Sequence, residues 1–194
     1  MARQTYRITG PKQLACLASA VRQEIVDTVQ SLGKCSIADI ARSLGRPADG
    51  LYYHVRELLR VGLLLEHGVA RNGRREEAIY TTADARRPMQ IEYRLDDPAN
   101  RKRIGKIVDG MLNTARQDFA AGAESGHATV GGKRRNLWAA RNKGWLNADE
   151  LAQVNELLQR LAELLSRPKS PDRRKLHVLT WIIAPVDAQP PRRG

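Results

Sequence analysis

Apolar residues recur at Leu14, Leu17, Val21, Ile25, Val29 and Leu32, in steps of three and four that trace one stripe of a helix. Gly33 ends the run. The same spacing is compatible with a break near Ser19, which would cap a second helix from Ala20, so one long helix or two remain open. Ser36 starts the next helix, because its hydroxyl can accept from an orphan amide while Asp39 stands three residues later in a variant of the capping box. Ile37, Ile40, Ala41 and Leu44 form its apolar side, and Gly45 supplies a left-handed stop. A third helix is predicted from Pro47, tolerated at a first helical position, to Val61, with Leu51, Val55, Leu58 and Leu59 as its core stripe and Gly62 as its end.

Two strand-like runs follow, Leu63 to Ala70 and Arg75 to Thr82, joined through Arg71-Asn72-Gly73-Arg74. Asn-Gly between such runs is a strong hairpin signal. Three glycine-punctuated helices and a hairpin predict a winged helix-turn-helix over residues 12–82.

Beyond Thr82 the pattern changes. Met89 to Leu95 suggests a strand, and Asp97-Pro98 caps a long helix to about Gly122 with apolar positions at Ile104, Ile107, Val108, Met111, Leu112, Ala115 and Phe119. Gly122 to Gly132 holds four glycines and reads as a flexible loop; Lys133 to Leu146 reads as extended chain. Asn147 and Glu150 make a capping-box start for a last helix, whose Leu151, Val154, Leu158, Leu161 and Leu165 form a narrow seam. Its expected place is an intramolecular core. Leu176 to Ala184, rich in β-branched and apolar residues on both parities, is expected to be a strand covered on both faces, and the tail beyond it to be disordered.

The fold class is therefore α+β: a winged helix at residues 1–85, a helix-and-strand dimerisation or effector domain at 86–186, and a tail at 187–194. At 194 residues the chain can bury a core without disulfide or metal support. A net charge of +12 favours a polyanionic partner, but the excess is spread over both halves and does not locate a site. Cys16 and Cys35 are the only cysteines, too few for a disulfide framework and at the wrong spacing for zinc. No stretch reads as a signal peptide or a membrane span, so a soluble protein of the cytoplasm, associated with the nucleoid, is expected, with no membrane partner.

In a helix-turn-helix the first helix braces the second, whose exposed N-terminal half enters a major groove about 12 Å wide. With Leu51, Val55, Leu58 and Leu59 facing inward, Asp49, Gly50, Tyr53, Arg56 and Arg60 turn outward, with Tyr52 and His54 on the flanks. The candidate base contacts are Ala48, Asp49, Tyr52 and Tyr53, with Arg56 on a phosphate or a guanine. Asp49 fits only by accepting from a cytosine amine or by capping the helix start. Arg46 and Lys34, at helix starts, are phosphate candidates. The hairpin tip adds Arg71, Asn72, Arg74 and Arg75, able to follow the backbone or enter the minor groove.

Leu17-Ala18, Arg22, the Ser36 to Gly45 helix, Leu51-Tyr52-Tyr53-His54-Val55 and Leu58-Leu59-Arg60-Val61-Gly62-Leu63-Leu64 together resemble the ArsR-type winged-helix repressors. The resemblance covers about the first 85 residues, and the second half is similar to the helix and strand extension of longer members. It implies a bacterial homodimer, a repressor or activator, whose hold on double-stranded DNA is set by an effector. Metal-sensing members carry cysteine pairs or carboxylate and histidine clusters; Cys35 stands alone before the second helix and Cys16 on the first, so neither a metal nor another cofactor is expected. Trp138, Trp145 and Trp181 all lie in the second half and are candidates for the walls of an effector pocket, though core packing or a dimer interface would also use them. Gly126 to Lys133 approaches a phosphate-binding P-loop but is one glycine too long, lacks the following Ser or Thr, and is fed by no strand. The four histidines form no local metal motif, and no nucleophile stands beside a base, so no catalytic role is assigned. The competing reading is a winged helix used to bind protein without reading DNA.

Overall fold

The computed structural model describes residues 6–72, 75–84, 89–167, 169–173 and 175–187. It is an α+β chain. A short strand β1 (Tyr6–Ile8) leads into α1 (Pro11–Leu17) and α2 (Ala20–Leu32), so the apolar stripe is divided at Ser19, which takes extended backbone angles. Two residues of strand, β2 (Cys35–Ser36), precede α3 (Ile37–Leu44). A 3-10 turn at Ala48–Gly50 then enters α4 (Tyr52–Arg60). The wing is β3 (Leu64–Asn72) and β4 (Arg75–Thr82), followed by β5 (Met89–Ile91), α5 (Pro98–Glu124) and α6 (Ala148–Leu165).

The three-stranded sheet runs β2-β4-β3, all antiparallel, and the pairing of Cys35 with Tyr80 seats the turn before α3 against the root of the wing. The register slips between Glu66 and Gly68. This is a bulge at His67; Gly68 there takes a φ of 134°, a conformation that glycine adopts without a steric penalty. β1 and β5 pair in parallel, Tyr6 opposite Met89, a contact between segments far apart in sequence.

One core gathers Leu14, Ile25, Val29, Ile40, Val55 and Leu58 from the first four helices with Leu63 and Leu64 from the start of the wing. It does not stop at the wing. Ile107 of α5 belongs to the same cluster and Ile104 is buried beside it, while Gly110 lets α5 lie against Ala20 and Gln23 of α2. The boundary expected at 85/86 falls in undescribed residues, and the elements on either side of it share this core.

Several expectations need correction, most of them in the second half. Leu176 to Ala184 forms no strand and is largely exposed: a strand needs a neighbour to take its backbone hydrogen bonds, and no described segment supplies one. Met89 to Leu95 is strand only as far as Ile91. No residue of α6 is buried: Leu151, Leu161 and Leu165 of its seam are exposed and Val154 and Leu158 only half-buried, so the seam is not an intramolecular core among the described residues. The third predicted helix begins late, because Pro47 has an extended ψ of 137° and only a 3-10 turn precedes Tyr52. Of the tail, residues 188–194 lie outside the described part.

Candidate nucleic-acid interface

How α3 begins and ends sets where α4 starts. Ser36 Oγ accepts from Asp39 N at 3.2 Å, and the Asp39 carboxylate accepts from Ser36 N at 3.0 Å, a reciprocal cap that stabilises a helix start by about 1 kcal/mol. These bonds also hold the Asp39 carboxyl below the usual carboxylate range, Ser36 N contributing most. At the other end Gly45 is left-handed, φ 62°, and Arg46 N bonds back to Ala41 O at 3.0 Å. That closure turns the chain out of α3 sharply enough for Pro47 to start toward α4.

Leu51, Val55 and Leu58 anchor α4 from below, each almost fully buried. Gly62 (φ 69°) stops it, with Leu63 N returning to Leu58 O at 3.0 Å. Gln13 Nε2 donates to Val61 O at 3.2 Å, fixing that end to α1. A helix held along one side and at its C-terminus presents the other side rigidly. On it stand Tyr52, Tyr53, which is 60% exposed, and Arg56, also exposed.

Each expected contact can now be located. Asp49 is exposed in the 3-10 turn, whereas Ala48 is half-buried against the core, so its methyl has little left to offer a base. Lys34 is exposed at the sheet end of α2. Arg46 departs from expectation: its guanidinium donates to Glu24 Oε2 at 2.7 Å, with side chains 35% and 16% exposed. It ties the α3–α4 turn to α2. Arg60 is held by Glu57 on its own helix, at 2.8 Å. Arg71 is exposed near the wing tip, 3.8 Å from Glu76 across the hairpin, too long for a strong pair. Arg74 lies outside the described residues, as do the side chains of Asn72 and Arg75.

His54 sits between the reading face and the core. Its Nδ1 is buried with no hydrogen-bond partner, its ring meets Tyr53 edge-on at 5.4 Å, and burial followed by the charges of Arg22 and Arg46 keeps its pKa below the ordinary histidine value. A neutral imidazole in that position buttresses Tyr53. Arg42 of α3 is exposed and pairs with Asp39 on its own helix at 3.1 Å.

None of the three tryptophans is enclosed: Trp138, Trp145 and Trp181 are 68%, 70% and 38% exposed. Among the described residues no His, Cys, Asp and Glu group is arranged to hold a metal ion, and no helix is long and apolar enough to cross a membrane.

The family model for a helix-turn-helix domain matches residues 17–67, from the end of α1 into β3. A comparison with curated proteins finds no match. The fold and the matched segment together define the class: the chain carries a helix-turn-helix domain, the architecture of DNA-binding regulators, and the match takes in α2, α3 and α4.

Proposed function

We propose that this chain is a sequence-specific, ArsR-type transcription regulator that binds double-stranded DNA as a homodimer and answers to a small-molecule effector. The observation that carries the reading is the division of α4 into a buried side, Leu51, Val55 and Leu58, and an exposed side bearing Tyr52, Tyr53 and Arg56. A major groove takes a helix of that kind, with the aromatic and guanidinium groups at base edges and the wing along the backbone. Homodimerisation is supported by large apolar side chains that stay exposed among the described residues, Leu112 and Phe119 on α5 and Leu157, Leu161 and Leu164 on α6. Two recognition helices would then stand about 34 Å apart on an inverted repeat, and an effector would act by changing that distance. No catalytic role is part of this reading.

The test is charge reversal at the wing. Arg71→Glu combined with Arg74→Glu is expected to weaken binding to every duplex and to make its salt dependence shallower, since each lost phosphate contact removes about 0.9 from the slope of log K against log salt. Fluorescence anisotropy with a random duplex across a salt series reads both quantities. Binding by the unaltered chain that is absent or insensitive to salt would instead favour a winged helix that recognises protein.

A further inference from the structure

From Ser125 to Ala148 the chain has no acidic residue, while Lys133, Arg134, Arg135, Arg141 and Lys143 supply five cations. All five are exposed, and among the described residues none is in an ion pair. A run of unpaired like charges normally belongs to a chain without fixed shape. This one is built. Asn136 Oδ1 accepts from Thr129 N at 2.7 Å, Asn136 N donates to Thr129 O at 2.9 Å, and Asn136 Nδ2 donates to His127 O at 3.0 Å. One side chain thus closes the loop at its neck. At the tip Gly132 takes a φ of 71°, and Arg135 N returns to Gly132 O at 3.3 Å.

The loop is also fastened to the body. Leu137 is half-buried over Gly122 of α5, so close that a Cβ at Gly122 would stand 3.2 Å from Leu137 Cδ1. Ser125 Oγ bonds to Gly122 O and accepts from His127 N, fixing the exit from α5. The Arg135 guanidinium lies over the Trp138 ring at 3.6 Å, a cation–π contact that orders the side chain without neutralising it. Lys133 and Arg134 are left as unpartnered cations at the tip.

We propose that the loop 129–138 is a second nucleic-acid contact, in which Lys133, Arg134 and the Trp138-oriented Arg135 grip the phosphate backbone of duplex DNA in addition to the helix-turn-helix. The contact reads no sequence, because charge placed on phosphates fixes position without reporting base identity. It rests on the proposed DNA binding of the helix-turn-helix. An anionic lipid surface offers the same charge, but the face of Trp138 is occupied by Arg135 and the loop is not an amphipathic helix, so duplex is favoured.

The experiment compares the full chain with its Lys133→Ala, Arg134→Ala variant, by anisotropy on a random duplex from about 50 to about 200 mM salt. Two lost contacts should lower the slope by about 1.8 and, at about 0.1 M salt, weaken binding by about sixtyfold. Both positions are exposed, so the circular dichroism melt should not move. Unchanged slope and affinity in the variant, with duplex binding by the wild type intact, would overturn this contact and leave the helix-turn-helix reading standing. Failure of the wild type to bind duplex overturns both. A variant that loses only its hold on phosphatidylserine–phosphatidylcholine vesicles overturns the contact in favour of a membrane surface.

Discussion

Replacing Arg46 with methionine separates two roles for a cation at the turn of a helix-turn-helix: touching a phosphate or holding the turn in place. Arg46 donates to Glu24 at 2.7 Å, and the Glu24 side chain is only 16% exposed. Burial already pushes the Glu24 carboxyl above its ordinary value; Arg46 pulls it back and Asp118 adds to the rise. Methionine keeps much of the length of the side chain and removes the charge. It would leave a poorly solvated carboxylate beside Asp118 with no compensating cation. Breaking a fully buried pair costs about 3 to 5 kcal/mol, and an exposed pair contributes under about 1; this pair lies between them, and we expect a loss of about 2 kcal/mol at neutral pH. In urea that is a midpoint shift of about 1 M for a slope of about 2 kcal/mol/M.

The sign of the pH dependence follows from which state holds the proton. Without Arg46 the folded-state pKa of Glu24 rises further above its unfolded value, so the folded state binds the extra proton and the deficit should be small in acid and grow as pH rises. Glu24→Gln added to Arg46→Met should restore most of the loss. On DNA, a positioning residue lowers affinity with an unchanged salt slope, whereas a phosphate contact lowers the slope by about 0.9. A stability change under about 0.5 kcal/mol together with a shallower slope would refute the reasoning and return Arg46 to the phosphates.

Two further outcomes are expected. Asp27 of α2 has its carboxyl pushed up to about 6 by burial, then by Glu24 and Asp118, so native stability should fall as pH rises from about 4 to about 6. The Asp27 side chain is nevertheless exposed to solvent, which screens its charge, so Asp27→Asn should gain well under about 1 kcal/mol at pH 8 and nothing near pH 4; thermal melts at the two pH values check this, and an equal change at both would contradict it. Tyr53→Ala should weaken the preferred duplex by about tenfold, within the range of a single base contact, with little effect on random duplex; selection from a randomised pool that returns the wild-type preference would remove Tyr53 from the reading face.

What was legible in the sequence is what local rules determine. The α3 cap could be read because Ser36 and Asp39 satisfy each other over three residues, and the wing because Asn72-Gly73 sits between two apolar runs. The non-local parts were hidden. Nothing in Arg46 announces a partner 22 residues earlier, and the two residues of β2 are too few to show alternation although their pairing with β4 sets the wing root. Leu176 to Ala184 has strand composition but no described partner strand, so propensity without a ladder yields none. The late start of α4 has a local cause, since Asp49 and Gly50, both poor helix formers, come within three residues of Pro47.

The placement of α5 ties the second half of the chain to the reading head. Gln23 Nε2 donates to Leu17 O at 2.7 Å and to Ile107 O at 3.1 Å, joining the end of α1, the face of α2 and the first turns of α5 through one amide. Gly110 lies against the same glutamine, so α5 has no room to slide along α2 without displacing it. The next residue of α2, Glu24, holds Arg46 and with it the turn that leads into α4. Sliding α5 would therefore break the two bonds of Gln23 or carry α2 along, and moving α2 strains the Glu24–Arg46 pair. α4 is therefore held on one side by apolar packing and, through the Arg46–Glu24 pair beside Gln23, by polar contacts that reach α5, and each of these bonds can be removed singly by substitution.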